Sequence, residues 1–134
     1  MLIIHHVQID DLDKETAFAL AGPPNPERAT LAARLIGEGR YERVASIDLR
    51  ATSHGLETAY AVTQNIEGPG WSRDLPIGLT LLAPGLFVED GKLWGRRSTM
   101  IGDVIEYQGH DGPQQRFVVD WAGFTALPPI TTEG

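Results

Sequence analysis

Glycine and proline interrupt the second half of the chain so often that only short strands and turns fit between them. From Glu67 onward one or the other recurs every several residues, with short apolar runs between them. Four of these runs are predicted strands: residues 77–82, 86–88, 103–107 and 116–121. Turns are predicted at residues 67–71, 89–92 and 109–112. This half of the chain is therefore predicted to be rich in β-structure.

The first half combines strand and helix patterns. Residues 2–9 and 41–49 alternate in the manner of strands. Residues 26–36 are predicted to form a helix, with Asn25 as its N-cap. Residues 53–65 are predicted to form a second, short helix, because apolar residues recur every three or four positions. Asp13 can cap the segment 13–20, whose type the pattern leaves open.

These elements predict an α+β fold. We expect a small, mostly antiparallel β-sheet with one or two short helices packed on one face and a β-rich C-terminal half. The length of 134 residues, with 42% hydrophobic and 22% charged residues, suits one globular domain spanning residues 1–134. Within it, residues 1–40 form an N-terminal strand and helix.

The composition argues against several classes of function. The formal net charge of -7 disfavours a general nucleic-acid binder, which needs a basic face. The absence of cysteine excludes disulfides and thiol catalysis. The N-terminal apolar run is too short for a signal peptide, and no run is long enough to span a membrane. We therefore expect a cytoplasmic protein with no membrane partner.

The histidines and the N-terminal acids give no sign of a metal site. His5 and His6 are adjacent, so in a strand they point to opposite faces. His54 and His110 each stand alone beside turn glycines, without zinc-site spacing. Asp10, Asp11 and Asp13 lack the pattern of a calcium loop. No metal and no cofactor are predicted.

The segment WGRRSTMIGD, residues 94–103, has two interpretations. In one it is a strand-entry loop, in which Gly102 supplies an unusual backbone angle and Asp103 accepts amide hydrogen bonds. In the other it is a binding surface, and its candidate binding residues are Trp94, Arg96, Arg97, Ser98 and Thr99. The two arginines would then form a fork for carboxylate or phosphate groups, backed by hydroxyl donors. A serine nucleophile is disfavoured, because no nucleophile elbow surrounds Ser98.

Two tryptophans are predicted to be structural. Trp71 follows a turn and Trp121 ends an apolar strand, so both are expected in the core. The alternatives are a hot spot for protein contact or stacking on nucleic-acid bases. Stacking is disfavoured because basic residues do not surround these positions.

Four segments together resemble a known family: LETAYAVTQNI at 56–66, Trp71, RSTMIGDVIEY at 97–107 and RFVVDWAGF at 116–124. The pattern is similar to the YodL-like domain and its actinobacterial relatives, found in small proteins of phages, plasmids and conjugative elements. The resemblance makes residues 41–127 a β-rich, family-like core. It implies a mobile-element setting and supplies no reaction.

The function predicted from the sequence is that of a non-enzymatic, protein-binding accessory protein of a phage or plasmid. Its partner would be a host or phage protein, and its role that of an inhibitor of a host defence system, as in anti-CRISPR or anti-restriction proteins. One alternative is a small enzyme or an anion- or nucleotide-ligand binder using Arg97, Ser98 and Thr99. A weaker one is a nucleic-acid-associated factor. Unprotected strand edges also favour a homodimer.

Overall fold

The computed structural model describes residues 1–65, 71–72, 75, 78–83, 87–89, 92–109 and 114–129. The predicted turn at 109–112 lies outside these residues apart from Gly109, and so do residues 67–70 and 90–91 of the predicted turns at 67–71 and 89–92.

Eight strands and three α-helices lie within the described residues. In chain order they are β1 (Leu2–Val7), α1 (Lys14–Ala21), α2 (Arg28–Gly37), β2 (Tyr41–Ile47), α3 (Ser53–Val62), β3 (Leu79–Leu81), β4 (Phe87–Glu89), β5 (Lys92–Trp94), β6 (Val104–Tyr107), β7 (Gln115–Asp120) and β8 (Gly123–Ala126). A short 3₁₀ turn, Ile9–Asp11, precedes α1.

Six of the strands form one antiparallel sheet, which confirms the predicted α+β class. Their order is β3-β2-β1-β6-β7-β8, while β4 and β5 form a separate hairpin. β1 lies in the middle and pairs with β2 on one side and β6 on the other. The predicted strands at 103–107 and 116–121 match β6 and β7 within one residue at each end. The patterns did not predict β8, which returns from β7 after the two residues Trp121 and Ala122.

The helices cover both faces of this sheet. Val104 and Ile105 are neighbours in β6 and therefore point to opposite faces. Val104 packs with buried residues of α1 and α2, and Ile105 packs with buried residues of α3. The described residues thus form three α-helices on two faces of the sheet, where one or two on a single face were expected. The reason is that the central strands are apolar on both sides, as in Ile3–Ile4 and Val118–Val119.

The first two helices differ in how they begin, because a side chain caps α1 and none caps α2. The Asp13 carboxylate accepts from Thr16 N at 2.7 Å and caps α1. The segment 13–20, whose type the sequence pattern left open, is therefore a helix. α2 begins at Arg28, later than predicted, and its N-cap is Glu27, so the prediction of Asn25 as the N-cap is wrong. Asn25 Oδ1 accepts from Glu27 N at 3.0 Å, and this local bond makes residues 25–27 a turn that leads into the helix.

Within the described residues, no helix has the length and apolar character needed to cross a membrane.

Candidate functional site

The loop before β6 turns inward and closes on a buried carboxylate. Arg97 forms a two-pronged ion pair with Asp103: Nη1 donates to Oδ2 at 2.7 Å and Nη2 to Oδ1 at 2.8 Å. Asp103 also accepts from the backbone N–H of Val7 at 2.9 Å and of Met100 at 2.7 Å. Its carboxylate therefore joins the loop to the central strand β1.

Asp103 has no solvent exposure, and its charge depends on these donors. Burial raises the pKa of Asp103, while Arg97 and the N–H groups of Met100 and Val7 oppose that rise. The prediction that Asp103 accepts amide hydrogen bonds in this turn is confirmed.

Gly102 has the backbone angle predicted for it, with φ of 97°. A Cβ at this position would lie 3.0 Å from Leu20 Cγ, so there is also little room for a side chain. Its N–H donates to Val119 O at 2.9 Å. Gly102 therefore allows the chain to turn tightly between α1 and the sheet.

Arg97 does not present a fork to solvent, so its predicted role as a surface anion-binding residue is wrong. Besides Asp103, its guanidinium donates to Val7 O and Ser98 O, both at 2.9 Å. Four bonds thus use the two terminal nitrogens. The physical reason is local: the positive φ at Gly102 brings a carboxylate back to the arginine six residues earlier.

The hydroxyls of the loop are also used inside the protein. Ser98 Oγ accepts from Asn65 N at 2.7 Å. Thr99 is buried, and its Oγ1 lies 3.0 Å from His6 Nε2 and 2.7 Å from Thr63 Oγ1. The predicted hydroxyl donors for a bound anion, Ser98 and Thr99, therefore hold the loop against α3 and β1.

His6 is the buried centre of this hydroxyl network. Arg96 Nη2 lies 3.5 Å from His6 Nδ1, and the other ring nitrogen, Nε2, lies 3.0 Å from Thr99 Oγ1. Thr63 Oγ1 donates to Thr99 Oγ1 at 2.7 Å and lies 2.9 Å from Ala59 O, so the network continues into α3. Burial, with the charges of Arg97, Arg96 and His5, lowers the pKa of His6 to about 2.

Arg96 lies at the outer edge of the network. Its Nη1 donates to Glu42 at 3.0 Å, and its backbone N–H donates to Ser72 Oγ at 2.7 Å. Its Nε is buried without a hydrogen-bond partner in the described part of the chain. Since Glu42 accepts from Nη1 and His6 lies beside Nη2, Arg96 offers an anion little more than Arg97 does.

Trp71 is a core residue, as predicted. Its exposed fraction is 4%, and its Nε1 donates to Arg97 O at 2.9 Å. Its ring meets His6 edge-on at 6.1 Å between centroids. The side chain of Trp94, another predicted binding residue, lies outside the described part of the structure.

Trp121 is exposed by 60%, so the prediction that it lies in the core is wrong. β7 ends at Asp120, and Trp121 begins the two-residue turn that returns as β8, where Gly123 has φ of 101°. The ring therefore leaves the sheet at a corner. Its Nε1 donates to Gly22 O at 2.7 Å, which fixes its position over the end of α1.

Phe18, on α1, is exposed by 67%. Gly22 is near both rings: a Cβ at Gly22 would lie only 3.2 Å from Phe18 Cδ2, and Trp121 Nε1 donates to the carbonyl of Gly22. Pro23 and Pro24 follow and are exposed as well. We call Phe18, Pro23, Pro24 and Trp121 the aromatic patch. Sequence reasoning missed Phe18, because the type of its segment was open and its face could not be assigned.

A buried arginine holds the base of the aromatic patch. Arg28 has no solvent exposure. Its Nε donates to Leu20 O at 2.6 Å and its Nη2 to Gly22 O at 2.7 Å and Pro23 O at 2.6 Å. Its Nη1 pairs with Asp120, whose carboxylate also accepts from Trp121 N at 2.8 Å. One guanidinium thus fixes both chain segments that carry the exposed rings.

In the described residues, no three histidine or acidic side chains lie close enough together to hold a metal ion.

Comparisons with protein-family models, curated proteins and solved structures found no match for this chain.

Proposed function

We propose that the chain is a non-enzymatic protein-binding protein that contacts its partner through the aromatic patch. The supporting observation is the pair of exposed rings, Phe18 and Trp121, on a base fixed by Arg28. Tryptophan is enriched at binding hot spots, and large exposed apolar patches mark contact surfaces. A base that is already fixed favours binding, because the patch loses little conformational entropy when the partner docks.

The geometry of the Arg97, Ser98 and Thr99 loop is the reason for preferring this function over a small enzyme or an anion binder. Their polar groups already hydrogen-bond to Asp103, Asn65, His6 and Thr63. An incoming ligand would have to break buried bonds to reach them, which is costly.

The setting of the function is part of the same proposal and rests on the resemblance to the YodL-like domain. We place the protein among the accessory proteins of phages or plasmids, acting in the cytoplasm on a host or phage protein. Inhibition of a host defence system fits a small acidic protein that works by occupying a surface. Nucleic acid is disfavoured as a partner by the net charge of -7.

A capture experiment with matched variants tests the binding surface. The tagged protein, Phe18→Ala with Trp121→Ala, and the control Leu82→Ala are used to capture partners from a lysate of the source organism. Leu82 is also a large exposed apolar residue, at 44%, but lies outside the patch. We expect a partner that the control retains and the double variant loses by at least tenfold. A partner captured equally by all three proteins would refute the patch as the contact surface.

A further inference from the structure

β8 is an edge strand whose outer side has no strand paired to it in the described sheet. Leu127 N donates to Arg116 O at 2.8 Å, so the backbone groups of Leu127 point toward β7. In an antiparallel ladder the direction alternates with each residue. The N–H and C=O groups of Phe124 and Ala126 therefore point outward, in position to pair with another strand.

An apolar cleft lies beside this edge, on the face covered by α3. It has a volume of about 180 Å³ and is lined by Glu57, Tyr60, Val119, Gly123 and Phe124. That volume is several times the roughly 30 Å³ that one water occupies in the liquid. Tyr60 and Phe124 meet edge-on at 6.5 Å and form its aromatic wall. The cleft can therefore accept a side chain from a strand that pairs with β8.

The surface of the cleft is almost wholly apolar, and Glu57 is the one charged residue that contributes to its lining. It lies on α3 one turn before Tyr60 and is exposed, and the other lining side chains are uncharged. A lysine or arginine has the matching shape, because its aliphatic stem can cover the aromatic wall while its charged head reaches the carboxylate.

We propose that an extended segment of a partner protein adds to β8 as a seventh strand and places a lysine or arginine in this cleft, with its head on Glu57. This inference rests on the proposed protein-binding function and names the kind of segment the partner offers. Strand addition of this type gains affinity from main-chain hydrogen bonds and specificity from pockets for alternate side chains.

A second copy of this chain is a poorer occupant. In a symmetric pairing of β8 with itself, each cleft would receive a side chain from Gly123–Ala126, and this strand has no basic residue. Two chains of net charge -7 would also repel each other. A basic segment of another protein can pair with the edge of β8 and also place its positive charge on the Glu57 carboxylate.

The test uses two synthetic peptides with blocked ends, Thr-Val-Lys-Val-Thr and the same sequence with glutamate in place of lysine. Binding is followed by NMR titration of the backbone amides. We expect the lysine peptide to shift the amide signals of Phe124 and Ala126 and the glutamate peptide to bind about tenfold more weakly. Equal binding of the two peptides, or shifts elsewhere only, would overturn the inference.

Two variants of the protein sharpen the test. Glu57→Lys should reverse the preference for the lysine peptide, because it changes the charge at the cleft and leaves the strands of the sheet unaltered. Ala126→Pro should abolish binding of both peptides, because it removes an outward N–H at a strand edge where proline is tolerated. If Ala126→Pro does not fold, the inference is judged by whether Glu57→Lys reverses the preference between the two peptides.

The aromatic-patch variants separate this inference from the proposed function. Phe18→Ala with Trp121→Ala should bind the lysine peptide as the parent does. If neither peptide binds while the patch variant still loses its captured partner, strand addition is refuted and the proposed contact surface stands. If the peptide preference holds but the patch variant loses no partner, the aromatic patch is refuted and the edge is the binding surface.

Discussion

Two arginine side chains organise two regions of the protein and leave different surfaces behind. Arg97 pairs with Asp103 and closes a network of buried hydroxyl, imidazole and backbone groups. Arg28 pairs with Asp120 and fixes the turns that carry Phe18 and Trp121. Both use the planar fork of arginine to bind several acceptors at once. Such a fork therefore fixes the chain in both regions, and the regions differ in that polar groups are bonded internally around Arg97 while two aromatic rings are exposed above Arg28.

Removing the Asp103 carboxylate, which pairs with Arg97, should have the largest effect on stability. Asp103→Ala leaves the N–H groups of Val7 and Met100 without an acceptor and Arg97 without its partner. Breaking a buried ion pair from one side costs about 3–5 kcal/mol in the free energy of unfolding. Urea denaturation measures this loss in the free energy of unfolding.

Asp48→Ala is the control for this variant, because Asp48 is exposed. Its free energy of unfolding should stay within about 0.5 kcal/mol of the parent. If Asp103→Ala and Asp48→Ala lose the same small amount, the Arg97 network adds nothing to the fold and the contrast between the two regions disappears.

Acid should weaken the buried network through His6. The folded pKa of about 2 lies below the ordinary value of 6.5, so the unfolded chain takes up this proton first as the pH falls. The stability linked to His6 is therefore complete above pH 6.5 and is lost progressively as the pH falls toward 2. Between pH 6 and 5 the slope attributable to one such group reaches about 1.4 kcal/mol per pH unit.

His6→Gln should remove that slope, since glutamine has no proton to gain there. The exposed histidine variant His54→Gln is the control and should keep the parent's slope. Urea unfolding at several values of pH between 7 and 5 measures both. A His6→Gln variant that keeps the parent's slope would contradict a neutral, buried His6.

The sequence predicted the type of interaction that these residues make better than the partners with which they make it. The arginine fork was expected to bind a carboxylate or phosphate of a ligand or partner, and Arg97 instead binds the carboxylate of Asp103 in its own loop. That partner could not be read from the spacing, because it depends on the positive φ of Gly102 and on β1 lying alongside. The φ of Gly102 itself was predictable, since the residue type and its place before a strand both indicate it.

The error at Trp121 has a different cause. An alternating apolar pattern shows that a strand exists but marks its end poorly, and here the strand ends one residue before the tryptophan. Gly123 was the available signal, because a glycine two positions later is typical of a tight hairpin turn. Arg28 could not be predicted as a buried residue, because its partners come from Leu20 to Pro23 and from Asp120, far apart in the chain.

The smallest expected effect on stability belongs to the second region, and it separates the two tryptophans. Trp121→Ala removes an exposed ring and one exposed hydrogen bond to Gly22, so the free energy of unfolding should fall by no more than about 1 kcal/mol. Trp71→Ala is the matched comparison and should cost about 3–5 kcal/mol, because it empties a buried site in the core. Trp121→Phe keeps a ring but loses the indole N–H, so it distinguishes the hydrogen bond from the apolar surface. A Trp121→Ala variant as unstable as Trp71→Ala would make the aromatic patch part of the scaffold, and its rings would then be exposed without being free to serve a partner.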